Sequence, residues 1–222
     1  MRVLSAILLA VLVVSVASAE LLTTANPIGK GSWAVMGAGV QDQNVSNQSG
    51  YKMTTFGGYV GYGVTDKLDV YLNASSGNLD GLPAGLTMSM TSIGLNGKYT
   101  ILEEGKDMPV SVALGLGYKS APVKSSAAVG GDYNGTQMMG GVGVSKMIIP
   151  FVPYAALAYR SSAFDVGAGN MDFTQMDITV GTAVAWSTQG AVFVEYTNQA
   201  VTGKNTAVVA NHTSGQIAIG VG

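Results

Sequence analysis

A net charge of −2, with only 11% of the 222 residues charged, excludes a nucleic-acid-binding chain, because such a chain needs a basic stripe. There is no cysteine to staple an exported soluble domain. Low charge together with 31 glycines instead suits strands that have one face in lipid and the other in a crowded interior.

The first residues read as a separate object. Arg2 is followed by the apolar run Val3–Val14, and Ala17-Ser18-Ala19 has the small-x-small form of a cleavage site. This pattern predicts a secretory signal peptide over 1–19, cut before Glu20, and leaves residues 20–222 as one domain. Residues 20–28 read as a short polar lead on the periplasmic side.

Ten extended segments follow. Strand one (31–40) puts Trp33, Val35, Gly37 and Gly39 on one face. Strand two (52–64) sets Phe56, Val60, Tyr62 and Val64 against Tyr59, Gly61 and Gly63. Thr65-Asp66-Lys67 is a tight turn into strand three (68–75), where Leu68, Val70, Leu72 and Ala74 oppose Asp69, Tyr71, Asn73 and Ser75. Strand four (87–102) carries Ile93, Leu95, Tyr99 and Ile101 outward, with Asn96 and Lys98 inward. After the turn at 103–107, strand five alternates most cleanly: Val110, Val112, Leu114, Leu116 and Tyr118 against Ser111, Ala113, Gly115, Gly117 and Lys119. Strand six (136–147) presents Met138, Val142 and Val144. Strand seven (152–161) has Leu157 and Tyr159 outward, with Tyr154 and Arg160 inward. Strand eight (174–186) sets Met176, Ile178, Val180, Val184 and Trp186 against Asp177 and Thr179. Strand nine opposes Val192, Val194 and Tyr196 to Phe193 and Glu195, and strand ten opposes Ile217, Ile219 and Val221 to Gln216, Ala218 and Gly220.

The connections alternate between short turns and the longer segments 41–51, 76–86, 120–135, 162–173 and 198–211, all read as loops. A helix crossing a bilayer needs about 20 consecutive apolar residues, and no such run follows the N-terminus. Sheet edges are not tolerated in lipid, so the sheet must close. The expectation is an all-β, transmembrane, antiparallel up-and-down β-barrel of ten strands, with eight or twelve as alternatives. A soluble sandwich would need a charged exterior that the polar faces here do not supply.

The segments Gly57–Leu72 and Val152–Arg160 resemble hairpins of the small bacterial outer-membrane β-barrel (porin family) proteins. The resemblance implies a barrel in the cell outer membrane of a Gram-negative envelope, embedded in lipid and lipopolysaccharide and delivered by the outer-membrane assembly machinery. It implies a monomer without cofactor or nucleic-acid partner. Such barrels usually end in an aromatic residue, whereas this sequence stops at Val221-Gly222.

Six charges fall on inward positions: Asp69, Lys98, Lys119, Arg160, Asp177 and Glu195. They form either a salt-bridged plug that fixes register or a charged constriction lining a narrow passive pore, for which the inward glycines leave room. Trp33, Tyr62, Tyr99, Tyr118, Tyr159 and Trp186, with Tyr51 and Tyr71, fall mostly near strand ends, where amphipathic rings sit at the headgroup level. A third reading is surface recognition through the long loops.

Enzyme signals are weak, and the expectation is no catalysis. His212 and Ser214 could share a face as base and hydroxyl, with Glu195 on the neighbouring strand as orienting acid. That pair resembles the one used by outer-membrane lipid A-modifying hydrolases. Omptin-type proteases need paired aspartates plus an Asp–His couple high in the barrel. Here residue 211 is Asn, and Asp66 and Asp69 lie at the periplasmic end.

Overall fold

In lipid a backbone amide can pair only with another strand, and the chain meets that demand with a closed ladder. A computed structural model describes residues 24–43, 52–82, 84, 87–126, 132–165, 170–186, 190–203 and 212–221. Its strands are β1 (Trp33–Gln43), β2 (Lys52–Gly63), β3 (Leu68–Asp80), β4 (Met88–Leu102), β5 (Ser111–Ser120), β6 (Val123–Ser125), β7 (Asn134–Ser145), β8 (Phe151–Asp165), β9 (Asn170–Ala185), β10 (Ala191–Gly203) and β11 (His212–Val221). Each long strand pairs antiparallel with its sequence neighbours, with β5 joined directly to β7. The first and last strands close the ring, with Gly37 opposite Val221 and Gln43 opposite Gly215. Three-residue β6 adds to β4 beyond the end of β5.

The wall is inside-out. Trp33, Val35, Phe56, Leu72, Ile93, Leu95, Leu116, Met138 and Ile178 point outward with more than half of their surface exposed, while Thr55, Asn73, Lys98, Gln137, Arg160 and Gln175 are buried within. Along β9 and the residue after it, the outward apolar band runs from Trp186 to Met176. At about 3.3 Å per residue and a tilt of about 40°, that is roughly 25 Å of height, the apolar band of a membrane barrel.

Above the band the pattern inverts. Outward positions become polar (Lys52, Asp80, Lys124, Asn134, Asp165, Asn170, Thr202). Inward positions become apolar: Met53, Leu79, Met88, Met90, Val123, Phe164, Phe173 and Val201 are all buried. Phe164 and Phe173 meet edge to face at 6.2 Å. The barrel thus continues beyond the bilayer as a water-facing β cap with an ordinary hydrophobic core.

This cap corrects the loop boundaries. Much of 162–173 is ladder, since β8 runs to Asp165 and β9 starts at Asn170, with Phe164 opposite Met171. Segment 76–86 likewise begins as strand up to Asp80, and 120–135 holds β6, with Val123 bridged to Tyr133. Segment 41–51 opens with strand to Gln43, and 198–211 opens with strand to Gly203. The physical cause is common to all: outside lipid the outer face loses its apolar residues while the hydrogen-bond ladder persists.

An arginine tests the level of the band. Val180→Arg, midway up the outer face of β9, should lower stability by about 2–4 kcal/mol in lipid vesicles. Thr202→Arg, outward in the cap and opposite Thr174, should change it by less than about 0.5 kcal/mol. Urea titrations monitored by tryptophan fluorescence give both values, and equal effects would remove the distinction between band and cap.

Candidate functional site

Alternation carries the polar parity of each strand into one enclosed space, where the six inward charges meet. Asp69 and Lys98 lie directly opposite on β3 and β4 and pair at 3.2 Å. Arg160 on β8 pairs diagonally with Asp177 on β9, Nε to Oδ2 at 2.6 Å. The Gln175 amide donates to the other Asp177 oxygen at 2.6 Å, and Gln137 donates to Ser162 at 3.0 Å beside the guanidinium. Tyr154 donates its hydroxyl to Glu195 at 2.9 Å, and Tyr71 donates to Asp69 at 3.1 Å. Lys119 sits opposite Gln137.

None of the six charges exposes more than 5% of its surface. A side chain lining a water-filled channel keeps its head wet, and these heads do not. The room expected from inward glycines is taken up by their neighbours. A Cβ at Gly181 would fall 2.6 Å from the Tyr154 ring, and one at Gly61 would fall 2.6 Å from Tyr71. Small and large inward residues interlock across the strands, as in barrels filled by their own side chains.

The lead segment closes one end. Thr24–Ile28 turns into the barrel at the short-turn end, where Ala25 is 1% exposed and packs with Ala113 and Met139. Of the lead read as lying on the periplasmic side, Thr24–Ile28 is therefore part of the interior. Tyr71 is also interior, 7% exposed, and so lies outside any interfacial row. Neither the seated lead nor the hydroxyl of Tyr71 turned onto Asp69 was found from the sequence, although Tyr71 shares its strand parity with Asp69. Tyr51 lies outside the described residues.

The remaining aromatics form two outward levels. Trp33, Tyr62, Tyr99 and Trp186 stand near the short-turn end, with the Trp33 and Tyr62 rings 4.7 Å apart. Tyr118 and Tyr159, each about half exposed, stand at the upper limit of the apolar band.

Glu195 is not placed to serve the hydrolase arrangement. His212 faces Val201 and Ser214 faces Gln199 in the ladder, but Glu195 faces Ala218. Six residues of strand separate it from the histidine, about 20 Å, so it cannot orient an imidazole there. The side chains of His212 and Ser214 lie outside the described residues. Asp66 is exposed in a turn while Asp69 is buried against Lys98, so these two do not act together. Among the described residues no three His, Asp or Glu side chains gather to hold a metal ion.

A closed antiparallel wall, apolar outside and polar within, is a transmembrane β-barrel of the outer-membrane type. No family model and no curated protein matches the sequence. Among solved structures the chain is similar to the outer membrane protease OmpT of Escherichia coli, at 11% identity and a TM-score of 0.43 over 85% of this chain and 90% of that one. It is similar to the N-terminal β-barrel domain of Pseudomonas aeruginosa OprF, at 12% identity and a TM-score of 0.37 over 87% and 98%. It is also similar to the neisserial surface protein NspA, at 15% identity and a TM-score of 0.37 over 85% and 94%. With every TM-score below one half, the assignment rests on the wall itself.

Breaking one interior pair should be costly. Asp177→Leu leaves the Arg160 guanidinium buried without its carboxylate and should destabilise the barrel by about 3–5 kcal/mol. Adding Arg160→Met should recover most of that loss, since replacing a buried pair by apolar residues is often neutral. Urea midpoints in detergent micelles measure both, and a mild single variant would mean water reaches the pair.

Proposed function

We propose that this protein is a closed, non-conducting barrel of the bacterial outer membrane, a structural component of the cell envelope without catalytic activity. The observation that carries the reading is the interior: six buried charges in a packed lumen, beneath an apolar cap and above a seated N-terminal segment. Charges in that setting fix register and fill space. An open constriction would hold the same residues apart around water.

The signal-peptide pattern read over 1–19 supports export, and the two aromatic levels support anchoring at the headgroup regions, with lipid and lipopolysaccharide as surroundings and the assembly machinery as the delivery partner. The charges Asp69, Lys98, Lys119, Arg160, Asp177 and Glu195 then serve stability.

Surface recognition is the second reading, and the cap favours it. A folded extension with its own buried Phe164–Phe173 contact holds the loop ends rigidly clear of the bilayer, which is how binding loops are usually positioned.

Planar-bilayer recording tests the first reading. The purified barrel should give no reproducible single-channel steps. Steps whose ion preference shifts in Lys119→Glu or Arg160→Glu would establish an open lumen lined by these charges and overturn the proposal.

A further inference from the structure

The short-turn end of the lumen contains more recognition chemistry than a barrel mouth needs. Lys98 has three N–H donors, and each has an acceptor: the Asp69 carboxylate at 3.2 Å, the Thr24 carbonyl at 3.1 Å and the Asn26 carbonyl at 2.6 Å. The Thr100 hydroxyl donates to the Ala25 carbonyl at 2.9 Å, so three consecutive carbonyls of the lead are read from β4 alone. Ser145 on β7 accepts the Ala25 N–H at 3.0 Å. Both Asp69 oxygens accept the Ile28 N–H, at 3.1 and 3.2 Å. Ser111 on β5 donates to the Asn26 side chain at 2.6 Å. Nearly every contact is to backbone, and the donors and acceptors come from β3, β4, β5 and β7.

We infer that the short-turn mouth is a binding site for an extended peptide backbone, and that its occupant is the chain's own segment Thr24–Ile28, seated as a removable stopper. Every group that reads the segment is a side chain on a strand of the wall. The turn that returns the chain from the lumen to β1 uses Gly29 and Gly31, at φ +92° and +79°, a conformation L side chains rarely adopt. A cavity of about 360 Å³ bounded by Asn26, Pro27, Glu103, Glu104 and Met147 lies against the seat and leaves the segment a way out past the β4–β5 and β7–β8 turns. The ring closes without the segment, since β1 begins only at Trp33, pairs with β2 along its whole length and pairs with β11 from Gly37 to Gln43. Withdrawal would therefore uncover Lys98, Asp69 and Thr100 while leaving the ladder closed.

This inference deepens the closed-barrel reading, and its test reads one end of the lumen independently of conduction. The chain has no cysteine, so a single introduced thiol reports cleanly. Ala113→Cys places that thiol on a fully buried inward position in contact with Ala25. In the otherwise intact barrel a charged methanethiosulfonate reagent should react slowly. In the same variant lacking residues 20–28, or carrying Lys98→Gln, reaction should be at least about tenfold faster, the change expected when one charge-assisted hydrogen bond no longer opposes opening. A peptide spanning residues 20–28, added in excess to the deletion variant, should restore protection. Heat-dependent gel mobility checks that each variant is still a folded barrel. Equal protection with and without the segment would overturn the stopper, as would fast labelling of the intact chain or a peptide without effect. Silent bilayers combined with an accessible thiol in the intact chain would sink the stopper and leave the closed barrel standing, its closure then due to the cap.

Discussion

A strand in hydrocarbon must find all of its hydrogen bonds in neighbouring strands, so the ring has to close, and closure in turn creates an interior that has to be filled. The pairing of β1 with β11 is where that requirement is met. Once the ring exists, strand alternation leaves no choice: one parity meets lipid, and the other meets the opposite wall. With ten long strands the enclosed space is narrow enough for side chains to span it, and polar groups brought there must satisfy one another because water is excluded.

The interior solves that problem with mixed partners instead of charge pairs alone. Asp177 takes one bond from an arginine and one from an amide, Glu195 takes a tyrosine hydroxyl, and Lys98 divides its donors between a carboxylate and main-chain carbonyls. A lone buried ion pair rarely repays its desolvation, and additional hydrogen bonds are what make such pairs tolerable. Tyr154 also shows how packing and chemistry are linked, because it reaches Glu195 across the space left open above Gly181.

Much of this was legible in the sequence, and the limits of legibility are physical. Leu114, Leu116 and Tyr118 against Ala113, Gly117 and Lys119 announce a lipid-facing strand, because only a bilayer demands a continuous apolar stripe on the outside of a polar interior. The inward parity of Asp69, Lys98, Arg160, Asp177 and Glu195 follows from the same alternation. Past the headgroups the stripe ends, and residues such as Asp165, Asn170 and Thr202 then look like loop. The ladder nevertheless continues, and the apolar residues have moved inside, as Phe164, Phe173 and Val201 show. A template with apolar residues outward finds the membrane and misses the cap above it.

The N-terminal lead was illegible for a different reason. Thr24-Ala25-Asn26-Pro27-Ile28 has no periodicity, and what the barrel recognises in it is chiefly main chain, which every sequence shares. The information sits on the other side of the contact, in Lys98, Thr100, Ser111 and Ser145, four polar residues whose strand positions are unremarkable one at a time. Lys98 does hint at an absent acceptor: Asp69 can satisfy one of its three donors well, and a fully buried ammonium needs partners for the others. Since the neighbouring strands offer their carbonyls to the ladder, the further acceptors come from chain outside the wall, and among the described residues Thr24 and Asn26 of the lead supply them.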